Sequence, residues 1–457
     1  MNLSPIDGEQ NDNTDTSGTR PEMTISECVL SERDQLRNGL IFITCWALVY
    51  LVAPVIYVGI VQAAICNTLG TSDTVANLPQ AVYMWLMPTP VLIAWLFPSE
   101  RFLKPLLVLS FFLLGAAGAV VAVMFNIAPR EWIATAIIVH AGVTGATNSV
   151  SFVCLWELVG RGMTAKRRGK TLGWCYGVGP GLAVLGSFLS QLVLSGNFLD
   201  VVRVPLIPEP WRYIILYAAT VPTMWLAAFL GSRAVLPPAG PEPATVSRIA
   251  NIASGIRQYA THPLIMITAT AYLLTYVGGN MILPNMALYV REVTDELPET
   301  YSGLQMLLRF SFKIAAGFAL GWIVTRTHPK AGLLVTTGIC LLGVMWALVI
   351  PGKWYLLSFG LIGAGELFGV YFPNYIVTCS APNRIRENVA YTTLLTFAVG
   401  FAGGAFGMIA DTFGLRTSFV VASAILAVAI TLVAIALPNM PSPEPAQRDS
   451  PEEVPQG

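Results

Sequence analysis

Residues 301 to 325 read YSGLQMLLRFSFKIAAGFALGWIVT, an apolar run long enough to cross a bilayer as one helix, with Arg309 and Lys313 deep in its interior. A cation near the bilayer centre costs at least about 2.5 to 3.5 kcal/mol, so both must face protein or a water-filled cavity and find a partner there. Four residues apart, the two side chains leave the helix on one face. The stretch belongs in a membrane, among other helices that build a polar site around that face.

Composition agrees. Charged residues make up 11% of the chain, against roughly 25% in a soluble globular protein, and hydrophobic residues reach 54%. A soluble core cannot absorb that much apolar sequence, which makes this an all-α, polytopic membrane protein. Lys plus Arg equals Asp plus Glu, so net charge is zero, which argues against nucleic acid as a partner. The seven cysteines (Cys28, Cys45, Cys66, Cys154, Cys175, Cys340, Cys379) are scattered and mostly inside apolar runs, as free thiols would be. No metal spacing, phosphate loop or paired nucleophile and base is present, so neither a cofactor nor enzymatic chemistry is expected.

About twenty apolar residues per crossing divide the chain into twelve helices, with approximate limits 38–66, 76–98, 104–126, 131–159, 170–196, 211–236, 263–291, 302–325, 331–350, 353–379, 388–410 and 415–437. Residues 1–36 read as a disordered polar tail, 37–236 as a first six-helix bundle, and 237–262 as a linker that could hold a short surface helix. Residues 263–438 form the second bundle and 439–457 a second disordered tail. With both termini inside, the inner segments carry sixteen Lys and Arg and the outer loops six (Arg130, Arg203, Arg212, Arg291, Lys353, Arg416). That bias predicts both termini in the cytoplasm; a monomer in the plasma (inner) membrane is the accompanying expectation.

The halves are alike. AKRRGK (165–170) runs into the glycine-rich helix 5, and NRIREN (383–388) runs into helix 11; setting Arg168 against Arg386 puts Gly186 against Gly404. Parallel repeats of this kind imply two bundles with a ligand between them. Further signs lie in LFPSERFLKP (Glu100, Arg101, Lys104) between helices 2 and 3 and in Trp211-Arg212 opening helix 6. Gly407, Asp411, Gly414 and Arg416 close helix 11. Together these features resemble the major facilitator superfamily over residues 38–437, although the loop motif has lost both of its glycines. The resemblance implies two pseudo-symmetric six-helix bundles that alternate access to a central cavity lined by helices 1, 4, 7 and 10. It also implies a cytoplasmic gate of Glu100, Arg101 and Lys104, with Glu157 at the inner end of helix 4 as a partner. Glycines on helix 5 and helix 11 read either as static packing or as the seam on which the bundles rock.

Polar residues inside the spans supply the candidate binding set. His140, Thr144 and Asn148 form a stripe on helix 4 at spacings of four; helix 1 offers Tyr50 and Tyr57, helix 7 Tyr272, Tyr276 and Asn280, and helix 10 Glu366 and Asn374. Aromatic residues at helical spacing usually pack, but these hydroxyls and amides would otherwise meet lipid, so they are read as cavity lining. Lys313 and Glu366 lie at similar depths. As a purely structural pair they would leave Arg309 to backbone carbonyls. In the functional reading Glu366 takes up a proton, and the freed Lys313 and Arg309 attract a carboxylate, which suits the guanidinium fork. The leading expectation is a secondary transporter of a small organic anion, with protons as the coupling ion. A transporter of neutral polar solutes such as sugars or nucleosides, and a transporter-like sensor, are the alternatives.

Overall fold

The computed structural model describes residues 30–57, 59–97, 99–163, 165–236, 256–380 and 385–441. Helix 1 begins earlier than its apolar run. The Ser31 side chain accepts a hydrogen bond from the Asp34 N–H at 3.2 Å and caps Glu32–Leu51. Glu32 and Asp34 lie in the first turn, where the helix dipole favours acids. Residues 32–36, expected in the disordered tail, are therefore helical; the polar first turn disguised them. Residues 1–29, 237–255 and 442–457, which include most of the expected linker and both tails, lie outside the described residues. Residues 256–261 are helical, and the Tyr259 hydroxyl sits 3.1 Å from that of Thr392 on helix 11.

Twelve crossings follow. Helix 1 runs as Glu32–Leu51, Ala53–Ile56 and Ile60–Thr68, and helix 2 as Asp73–Leu86 and Thr89–Leu96. Helices 3, 4 and 5 are Leu103–Ile127, Arg130–Gly162 and Ala165–Ser195. Helix 6 is Trp211–Ala218 with Thr220–Ser232, and helix 7 is Pro263–Gly279 with Leu283–Thr294. Helices 8 and 9 are Glu299–Arg326 and Pro329–Val349, helix 10 is Leu357–Gly365 with Phe368–Cys379, and helices 11 and 12 are Ile385–Phe413 and Leu415–Ala436. Among the described residues ten helical stretches are long and apolar enough to cross a membrane. Helices 1 and 2 are not among these ten: the long segment of helix 1 opens with Glu32, Arg33, Asp34 and Arg37, which lower its hydropathy, and helix 2 is divided at 87–88 into segments of 14 and 8 residues. A small hairpin, β1 (Asn197–Phe198) against β2 (Val202–Arg203), joins helices 5 and 6.

The two six-helix halves meet where helix 2 lies on helix 11 and helix 5 on helix 8. Helix 11 reaches helix 2 through its glycines: a Cβ at Gly407 would stand 2.6 Å from the Thr74 Cα, and one at Gly400 would stand 2.9 Å from the Ala81 carbonyl oxygen. On helix 5, Gly179 and Gly186 pack instead against Tyr50 and Leu51 of helix 1, inside the first half. The glycines of helix 11 thus lie where the two halves meet, and those of this part of helix 5 lie within one half. The Asp411 carboxylate accepts from the Asp73 and Thr74 N–H groups at 2.8 and 3.0 Å. Asn77 donates to Asn285 at 2.7 Å, and the Gln191 amide oxygen accepts from the Leu304 N–H at 2.7 Å. Buried Glu299 pairs with Arg212 at 2.6 Å and accepts from the Thr68 hydroxyl at 3.2 Å and from the Tyr213 hydroxyl. All of these links join the halves at the end opposite the chain termini, and that end is closed.

Candidate functional site

Of the divided crossings, three are interrupted beside the central site: helix 1 between Ile56 and Ile60, helix 7 at Asn280–Ile282 and helix 10 at Glu366–Leu367. Irregular backbone within a membrane span is tolerated only when buried in protein or lining a cavity. At the helix 1 break Gly59 takes φ +138°. Gln62 repairs the break: its amide nitrogen donates to the Val55 carbonyl at 2.7 Å, and its oxygen accepts from the Gly59 N–H at 3.1 Å. Pro284 opens the second segment of helix 7, where a missing N–H costs nothing.

Glu366 caps the first segment of helix 10 and points at helix 8. Its Oε1 meets the Arg309 guanidinium at 2.5 Å and accepts from Asn280 Nδ2 at 3.2 Å; its Oε2 meets Lys313 Nζ at 3.1 Å. Close packing makes this reach available. A Cβ at Gly363 would stand 2.6 Å from the Arg309 Cα, so only glycine lets helix 8 pass helix 10 so closely at the level of the cation. Arg309 therefore does not rest on backbone carbonyls, the arrangement expected if the pair were purely structural; it shares the carboxylate with Lys313. One carboxylate serves two cations. The Arg309 and Glu366 side chains are 6% and 5% exposed, whereas Lys313 is 26% exposed and borders open space. Arg309 Nη1 rests 3.8 Å from the Met306 sulfur, and its Nε has no partner among the described residues.

Aromatic groups bracket the cluster on two sides. Tyr50 and Tyr57 of helix 1 stack at 5.8 Å, and Phe310, next to Arg309, meets Tyr57 edge-on at 5.3 Å. Tyr272 and Tyr276 of helix 7 pack edge-on at 5.7 Å, and Phe368 of helix 10 stands 5.2 Å from Tyr276. Five of the expected residues thus gather here directly or through one aromatic contact from the first half and the second, around Arg309, Lys313 and Glu366.

The helix 4 stripe divides. His140 is buried against Tyr217 of helix 6 at 5.2 Å, with neither ring nitrogen bonded among the described residues. Thr144 is buried and spends its hydroxyl on the His140 carbonyl at 2.7 Å. Both are buried in the interior of the first half. Asn148 alone reaches outward, donating to the Tyr83 hydroxyl at 3.3 Å. Asn374 is exposed about two turns beyond Glu366 and is not joined to the cluster. Of the gate residues, Arg101 lies over the Phe102 ring at 4.8 Å, Lys104 and Glu157 are half-buried, and the Glu100 side chain lies outside the described residues.

Gln80 on helix 2 was missed by sequence reasoning. Its Nε2 donates to Asn280 Oδ1 at 2.8 Å and to the Asn280 carbonyl at 3.0 Å, joining the second half's cluster to the first half. The available signal was a pair of amides, Asn77 and Gln80, three residues apart beside Pro79 in an apolar span. Glu299 was missed as well, since it sits at a helix end where an acid is unremarkable.

The Major Facilitator Superfamily family model matches residues 39–386 and 268–456. No curated protein matches the sequence. Among solved structures, the chain resembles a D-xylose–proton symporter with a TM-score of 0.65 and 14% identity, over 88% of this chain and 98% of that one. It resembles the nucleoside transporter NupG at 0.59 and 11%, over 88% and 98%. A bacterial homologue of the human lysosomal transporter Spinster, in an inward-facing and unoccupied conformation, gives 0.60 and 16%, over 88% and 97%. At these identities the solved structures speak for the fold alone. The family match and the twelve crossings in two like halves make the chain a membrane transporter of the major facilitator superfamily.

Proposed function

We propose that this transporter carries a small organic anion by alternating access, with Glu366 as the proton-coupling group. The observation behind this reading is the charge balance of the central cluster, in which two cations, Arg309 buried and Lys313 partly exposed, share one buried carboxylate. A surplus positive charge at mid-membrane depth is costly, and an anion from solution relieves it. Arg309 supplies an unused Nε–H and a planar fork that matches a carboxylate, and Lys313 supplies a charge at the open edge. As the substrate takes the cations, Glu366 loses its partners and takes a proton, so that anion and proton travel together. Tyr57 and Tyr276 lie beside the cluster as candidate recognition groups, with Asn148 as a more distant one.

The end that carries the termini faces the cytoplasm, on the strength of the Lys and Arg bias, which makes the closed end the outer one. The second reading, a neutral polar solute, draws on the tyrosine and amide groups around the cluster and on the fold shared with a xylose symporter and a nucleoside transporter. Uptake into proteoliposomes separates the two. Radiolabelled mono- and dicarboxylates should enter under an inward proton gradient and should be competed by other carboxylates but not by sugars or nucleosides. Competition by neutral solutes alone would overturn the anion reading.

A further inference from the structure

We propose that Gln80 is the positioning residue through which the charge of Glu366 controls the closed end of the transporter. This rests on the reading of Glu366 as the proton site. The chain of hydrogen bonds has one direction of donation: Gln80 Nε2 donates to Asn280 Oδ1, and Asn280 Nδ2 donates to Glu366 Oε1. An ionised Glu366 accepts only, so it holds Asn280 with its nitrogen inward and its oxygen toward Gln80. In that orientation Gln80, on the first half, is anchored twice to helix 7 of the second, through the Asn280 side chain and the Asn280 carbonyl. Gln80 is also the innermost rung of a ladder along helix 2, followed toward the closed end by Asn77 on Asn285 and Thr74 on Asp411.

A proton on Glu366 inverts the chain. The new O–H needs an acceptor, and Asn280 supplies Oδ1 by turning its amide over. Its nitrogen then faces Gln80, which must answer with its own oxygen. That oxygen is at present buried with no partner among the described residues, and it lies against the helix 1 break, where a Cβ at Gly59 would stand 2.7 Å from it. The proton stays on Glu366, and only the two amides turn. After inversion the Gln80 nitrogen no longer reaches the Asn280 carbonyl, so two links across the halves become one and the innermost rung weakens. The other groups within electrostatic reach of Glu366 are Arg309 and Lys313 on helix 8, Cys340 on helix 9, Tyr276 on helix 7 and Tyr50 on helix 1; none of them bridges helices 2 and 7.

The test is a distance measured across the closed end. Spin labels at Val201 and Leu297, both exposed at that end and in opposite halves, are placed on the full-length chain with its native cysteines replaced, in lipid nanodiscs. In the parent protein, supplied with small mono- and dicarboxylates that take the two cations from Glu366, acidification should raise the population of longer distances about fivefold, the equilibrium equivalent of one net hydrogen bond. Glu366→Gln should give a fixed distribution at every pH. Gln80→Met, which neither donates nor accepts as an amide, should likewise abolish the pH response. Gln80→Glu accepts only, should turn Asn280 over permanently, and should hold the longer distances at every pH. Adding Gln80→Met to Glu366→Gln should leave the distribution independent of pH. If the parent responds and Glu366→Gln does not, but Gln80→Met and Gln80→Glu respond like the parent, the relay is wrong and the proton site stands. If Glu366→Gln still responds, or the parent does not respond, the proton site fails and the relay with it.

Discussion

Arg309, Lys313 and Glu366 differ in what each can lose. Glu366→Gln leaves two cations without a carboxylate, and an unpaired buried charge costs on the order of 3 to 5 kcal/mol. Lys313→Met leaves Arg309 and Glu366 as a neutral pair with its 2.5 Å contact intact. The first variant should therefore lose thermal stability and expression, while the second should keep both and lose anion uptake; melting temperatures of the purified variants check the ordering. Equal destabilisation would contradict the claim that Arg309 and Glu366 remain a satisfied pair without Lys313. The two cations and the acid were legible in the sequence because charge inside an apolar run has few explanations. Asn280 was read as cavity lining but Gln80 was not, since an amide's importance depends on what faces it across a helix boundary, and nothing in spacing fixes the register of helix 2 on helix 7.

Helices carry the site through their interruptions and their glycines. Gly363 sets the distance between helices 8 and 10 at the level of Arg309, because a Cβ there would enter the Arg309 backbone. Gly363→Val should force the helices apart and cost about 1 to 3 kcal/mol from overpacking, visible as a lower melting temperature. It should also weaken anion binding more than Gly317→Ala does, where an added Cβ meets open space. Comparable effects at both positions would refute the role of close approach. The number of crossings was legible because apolar length is a strong signal, but the breaks between Ile56 and Ile60, at Asn280–Ile282 and at Glu366–Leu367 were not. Their side chains look like ordinary span residues, and only tertiary partners such as Gln62 make such a break affordable. His140 shows the opposite error: periodicity on helix 4 was real, but packing against Tyr217 decided which face it meant.

At the scale of the molecule, closure at one end by Glu299 with Arg212, Asn77 with Asn285 and Asp411 with Thr74 implies a state open, or able to open, toward the termini. Cysteine labelling tests the sidedness on which that statement depends: Ala165 and Ala331 should react from the cytoplasmic face and Leu297 from the opposite one. Reaction of Ala165 and Leu297 from the same face would overturn the orientation. The central claim is narrower, that the two cations form the binding site for a carboxylate, and ligand-induced thermal stabilisation addresses it directly. A panel of small mono- and dicarboxylates should raise the melting temperature of the parent protein. Arg309→Lys, which keeps the charge but loses the fork, should melt close to the parent without ligand and show a much smaller carboxylate shift. Full carboxylate stabilisation of Arg309→Lys, or stabilisation of the parent by sugars and nucleosides alone, would contradict the account.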